Sequence, residues 1–207
     1  MASKERIARL KEDTRMSILK AALHIAKEEG WEALSMRKIA DAIEYTAPII
    51  YEYFENKDAL LYELTRTGYL ILNQKLEEAR DQHDTPEKQL EAMWVAYWNF
   101  AFLKKELYQL MFGIATNCIN CTLMSKMPEA ERQWDIIAEV IGKMMHIEDL
   151  ESEEICVRYY TFWSVIHGLI SINLLSRGSS DEMNRQVLMN AITGIIRSMK
   201  DQVAASN

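Results

Sequence analysis

Apolar residues recur three and four positions apart along most of the chain, and nothing alternates with period two for long enough to make a strand. From Arg15 to Glu29, Ile18, Leu19, Ala22, Ile25 and Ala26 fall on one side of a helix, and Gly30 stands where a left-handed cap would close it. Residues 1–15 are charged and read as a partly mobile lead-in. Ser35 caps a short helix whose buried side is Ile39, Ala42 and Ile43. Thr46 caps the next, with Pro48 tolerated in its first turn, and Asn56 opens a long helix from Lys57 to about Ala79. The polar junction 81–86 ends in Thr85-Pro86, a cap followed by proline at the first helical position. Further helices are predicted near 86–104, 105–116, 128–146, 152–176 and 181–204. Pro128, the acidic run from Glu148 to Glu154, and Arg177-Gly178-Ser179-Ser180 separate the last four. The expected architecture is all-α: a three-helix unit containing a helix-turn-helix over 1–56, then a long connecting helix and a helical bundle over 57–207.

Composition sharpens this picture. Only 7 Gly and 3 Pro interrupt 207 residues, which favours long elements. The net charge of −7 argues against loose, nonspecific binding to polyanions. It is uneven, however: residues 1–40 sum to +3 and the remainder to −10, so a nucleic acid would meet the N-terminal end. Three cysteines are too few for a disulfide scaffold, and no signal sequence is visible, so a cytoplasmic location is expected. The longest apolar run, Phe162 to Leu175, is too short to span a bilayer and holds His167, so no membrane partner is expected.

The segment from Ser35 to Phe54 carries the most specific chemistry. It reads as two short helices with a tight turn between them, the arrangement in which the second helix enters a DNA major groove. Ser35 places free helix-start N–H groups where a phosphate could meet them, with Arg37 and Lys38 one turn in. Thr46, Ala47, Ile49 and Tyr51 lie along the exposed side of the second helix, beside Pro48, while Ile50 and Phe54 turn inward. Tyr51 offers a hydroxyl for a phosphate, and Lys57 adds charge at the following helix start.

The register of Ile39-Ala40, Ala42, Thr46, Ile50-Tyr51, Tyr53-Phe54, Lys57 and Leu60-Leu61 resembles the DNA-binding domain of TetR-type (tetracycline-repressor-like) regulators. The resemblance covers roughly residues 13–62 and includes Gly30 and the Leu34-Ser35-Met36-Arg37 entry. It implies that Thr46 is the small hydroxyl residue at the recognition-helix start and that Tyr51 and Lys57 contact phosphate. The chain departs from the family where Glu44 replaces the usual turn glycine, at a cost of ~1 kcal/mol. Residues 41–58 also sum to −4; acids can read cytosine amino groups but repel phosphate.

Aromatic residues crowd the second half. Trp94, Trp98, Tyr108, Phe112, Trp134 and Trp163, with Asn117 and His167 as polar groups, suit either a bundle core or a pocket for a small apolar or aromatic ligand. Asn173 is a third polar candidate. The resemblance implies a ligand cavity in this half. Trp163-x-x-x-His167-Gly168 is similar to a signature of one TetR-type subgroup, and Gly168 would let another helix approach closely. His167 either senses a ligand or is a hydrogen-bonded histidine of the core or interface. The last two helices carry wide apolar surfaces, which suit a bundle core or a two-fold interface; by resemblance they pair with their copies in a homodimer. Cys118 and Cys121 form a Cys-x-x-Cys without two further ligands at metal spacing, so no metal or other cofactor is expected, and redox sensing or core packing remain for them. The expected function is a ligand-responsive regulator, a repressor, binding double-stranded operator DNA as a homodimer. A helical dimeric adaptor without DNA binding, or a bundle enzyme using His167, Cys118 and Cys121, are the alternatives; no nucleophile elbow or phosphate loop stands out.

Overall fold

The structure, a computed structural model, describes residues 2–113 and 127–206. Among them nine α-helices follow one another without a strand: α1 (Ala2–Glu29), α2 (Met36–Ala42), α3 (Ala47–Tyr53), α4 (Lys57–Arg80), α5 (Pro86–Leu103), α6 (Lys105–Met111), α7 (Pro128–Met145), α8 (Glu153–Leu174) and α9 (Asp181–Ser206). A 3-10 turn, Trp31–Ala33, links α1 to α2. Asn117, Cys118 and Cys121 lie outside the described residues.

The described residues form two compact units, 2–68 with 105–113, and 69–104 with 127–206, and the boundary falls within α4. In the first, Ile18, Ala22, Ile39, Ile50 and Leu60 close a core around which α1, α2, α3 and the first turns of α4 pack. Arg15 braces its edge, with its guanidinium 5.4 Å from the Phe54 ring centroid and 2.9 Å from Glu63. At Gly68 the α6 side chains come close: an added Cβ would lie 2.5 Å from Met111 Sδ.

Three local expectations are corrected. Residues 2–15 are helical, not a loose lead-in, because they hold good helix formers and continue a helix already fixed by Ile18 to Ala26, so no new nucleation is needed. Ala42 is exposed and Ala40 is buried in its place, since Met36, Ile39 and Ala40 form the i, i+3, i+4 stripe. Gly30 does end α1, but with φ 85° and ψ 162°, a region essentially closed to other residues.

In the second unit α5, α7, α8 and α9 pack around Trp94, Tyr97, Phe162 and Ile166. The buried Gln133 donates Nε2–H to Tyr159 Oη at 2.9 Å, and Asn73 donates to the Glu129 carbonyl at 2.8 Å. Burial raises the phenol of Tyr159 above its ordinary value and pushes Tyr69 up to about 12. Gln202 donates to Glu154 and accepts from Arg158, tying α9 to α8. α8 is apolar and long enough to cross a membrane by length and composition, and 28% of its apolar stretch is buried in the single chain. Its exposed side carries Val157, Tyr160, Val165 and Ile172.

Candidate nucleic-acid interface

Ser35 adopts extended backbone and its Oγ accepts from the Lys38 amide at 3.2 Å, so the start of α2 is capped as its sequence predicts. Arg37 and Lys38 are exposed; Lys38 Nζ pairs with Glu29 at 2.6 Å. The turn to α3 is a Schellman closure in which the Tyr45 amide donates to the Ala40 carbonyl and that of Glu44 to Asp41. Glu44 sits at φ 58°, the left-handed conformation that glycine normally eases.

α3 is anchored by Ile50 and Phe54, both buried, one turn apart. Thr46, Pro48 and Tyr51 are exposed, and Ala47 and Ile49 are half-buried beside them. Thr46 takes the extended backbone of an N-cap without a side-chain cap hydrogen bond. Asn56 Oδ1 accepts from the Ala59 amide at 2.8 Å, which fixes the start of α4. Lys57 turns partly inward: its Nζ donates to the Leu34 carbonyl at 2.8 Å and to that of Trp31 at 3.4 Å. It thus ties the entry of α4 to the turn before Ser35. Glu52, one of the acids that give residues 41–58 their charge of −4, is exposed on the side of α3 that carries Pro48 and Tyr51, four positions after Pro48.

The aromatic candidates fall into separate places. Trp94 is fully buried and stacks on Phe162 with ring centroids 5.3 Å apart. Trp134 packs on Tyr159 at 4.3 Å, and Tyr159 in turn lies 6.2 Å from Trp94. Trp163 and His167 stack at 4.7 Å with ring planes 17° apart. Burial lowers the His167 imidazole below its ordinary value of 6.5, so it is held toward the neutral form. Tyr108 and Phe112 pair at 4.7 Å in the first unit. Trp98 lines a groove of about 1030 Å³ between α5 and α9, with Phe102, Leu188, Lys88 and Arg185. Periodicity along the chain does not reveal this groove, because it is a property of two helices far apart in sequence. Asn173, at its end, is engaged: its Oδ1 accepts from Asn184 Nδ2 at 2.6 Å, and its Nδ2 donates to the Leu169 carbonyl.

Residues 18–64 match the family model of bacterial regulatory proteins of the tetR family, and residues 90–190 match that of the tetracyclin repressor-like C-terminal domain. An uncharacterized HTH-type transcriptional regulator of Haemophilus influenzae is 32% identical over 90 residues, 44% of this chain; the chain spans 48% of that relative's length. A protein of unknown function from Rhodococcus sp. RHA1 shares the fold with a TM-score of 0.73 at 20% identity, over 89% of this chain and 94% of that one. FadR from Bacillus subtilis, solved in complex with stearoyl-CoA, superposes with a TM-score of 0.70 at 16% identity, over 86% of this chain and 98% of that one.

Proposed function

We propose, for a chain that belongs to the TetR family by both of its matched domains, that it is a ligand-responsive transcriptional repressor which binds palindromic operator DNA as a homodimer. Residues 1–56 read the DNA, and a small apolar or aromatic molecule bound within residues 57–207 releases it. The observation that carries the reading is α3: Ile50 and Phe54 hold it down while Thr46, Pro48 and Tyr51 face solvent. Ser35, Arg37, Lys38 and Lys57 would grip phosphates on either side, and Ala47 and Ile49 would contact base edges. Family membership supports a transcription factor over an enzyme, and a cytoplasmic location.

Dimerisation is supported by the faces that α8 and α9 leave open. Val157, Tyr160, Val165 and Ile172 on α8, with Met183 and Val187 on α9, are apolar and exposed in the single chain. Gly168 and Gly194 have nothing within 4 Å of a built Cβ, so another helix could approach closely at both. A two-fold contact there would hold two copies of α3 for successive major grooves, about 34 Å apart. The string Trp163-x-x-x-His167-Gly168 supports, in this reading, membership of the subgroup it resembles. Trp94, Trp98, Trp134, Trp163 and His167 are the proposed ligand contacts in the second unit, with Trp98 the one that lines an open groove. The acyl-CoA seen with the Bacillus subtilis neighbour makes a long-chain amphiphile a natural first ligand to try. A coupling of ~1–3 kcal/mol would suffice to weaken operator binding by roughly 5- to 150-fold.

Titration against duplexes from the DNA flanking its own gene, at two salt concentrations, tests the reading. Saturable, sequence-dependent binding that weakens with salt is expected, with Tyr51→Ala lowering affinity for every duplex. Equal, feeble binding to all duplexes would instead support an adaptor that does not read DNA.

A further inference from the structure

We propose that the Glu52 carboxylate is a base-reading group that selects a cytosine in the major groove, once in each half of the operator. The inference rests on the regulator reading above and assigns part of its sequence specificity.

Pro48, Tyr51 and Glu52 are spaced i, i+3, i+4 along α3 and are all exposed, opposite the buried Ile50 and Phe54. A helix with its side chains is roughly 10–12 Å across and the major groove about 12 Å wide, so a docked α3 fills the groove. Docking that seats Tyr51 therefore carries its neighbour Glu52 into the groove as well. The carboxylate arrives without a partner of its own. The ion pairs of the first unit engage Glu12, Glu29 and Glu63, and none among the described residues engages Glu52.

An unpaired carboxylate brought among phosphates is strongly disfavoured unless a donor meets it. The major-groove edges offer two amino donors, N4 of cytosine and N6 of adenine, whereas guanine and thymine present acceptors and a methyl group. Adenine sets its N7 lone pair beside N6, which opposes a second carboxylate oxygen; cytosine has no such neighbour. Cytosine is thus the base that turns this charge from a penalty into a contact. α3 itself, Ala-Pro-Ile-Ile-Tyr-Glu-Tyr, holds no Lys or Arg to read guanine, so Glu52 is its one ionised discriminator. On this account the acidic surface lowers affinity for DNA in general and sharpens the choice among sequences.

Selection from a randomised duplex library with full-length wild-type, Glu52→Ala and Glu52→Gln proteins tests the proposal. The wild-type motif should contain a cytosine at two positions related by two-fold symmetry. Replacing it by thymine should weaken wild-type binding about tenfold. Glu52→Ala should lose preference at that position alone and bind duplexes more tightly overall. Glu52→Gln should move the preference to adenine, whose N6 and N7 a carboxamide can engage together. Because Glu52 is exposed, both variants should keep the wild-type melting temperature. An unchanged motif in both variants, or a uniform gain in affinity without a change of base, overturns the assignment. Failure of the wild-type protein to enrich any sequence is a separate result that overturns the regulator reading itself.

Discussion

Single side chains here carry strain and charge whose effects can be measured. Glu44 occupies φ 58° at a helix end, where any residue with a Cβ is disfavoured. Glu44→Gly should raise the free energy of unfolding by ~1 kcal/mol, read as a higher urea midpoint at unchanged slope. A lower midpoint would mean that the Glu44 side chain contributes more than its backbone costs. His167 supplies a pH signature. Burial holds its folded value below 6.5, so through that window the unfolded chain binds more protons than the folded one. Stability therefore rises with pH there and is lost as pH falls below 6.5. Thermal melts between about pH 5 and pH 7.5 should show a shallower acid-side loss for His167→Gln than for wild type. Parallel curves for the two proteins would rule out His167 as the source.

Apart from the start of α1, which lacks a cap or breaker to mark it, helices and most of their ends are readable from the chain, because caps and breakers are local signals. Ser35 and Asn56 cap as their residue types require. The face of α3 was equally legible, since Ile50 and Phe54 are one turn apart. What the chain concealed depends on partners distant in sequence. The Gln133–Tyr159 bond joins residues 26 apart, and the inward turn of Lys57 needs carbonyls 23 and 26 residues upstream. The groove at Trp98 exists only once α9 lies beside α5. The joint between α8 and α9 is another such feature. Asn184, 6% exposed, donates to Asn173 Oδ1 at 2.6 Å and to the Ser179 carbonyl at 3.0 Å. A Cβ at Gly178 would fall 2.0 Å from that same Asn173 oxygen, so the loop closes tightly over the pair. Asn184→Ala should cost roughly 1–3 kcal/mol of stability by stranding both acceptors, which chemical denaturation would register.

At the level of the whole molecule, the proposed two-fold reading requires a second copy to cover the open apolar sides of α8 and α9. Ile172→Glu should leave the helical content of the single chain intact, since the side chain is already exposed there. It should also convert a dimer to a monomer in sedimentation and abolish cooperative operator binding. A variant that still sediments as two chains would move the interface elsewhere. Two copies would also bring two Lys57 side chains to the duplex. An ammonium has three N–H bonds, and here two point at the carbonyls of Trp31 and Leu34. The butyl stem has accordingly given up its rotamers when the chain folds, not when it docks. A phosphate meeting the remaining N–H would find a hand already held still, and the entropy that a free lysine forfeits on gripping DNA would not be charged to the encounter.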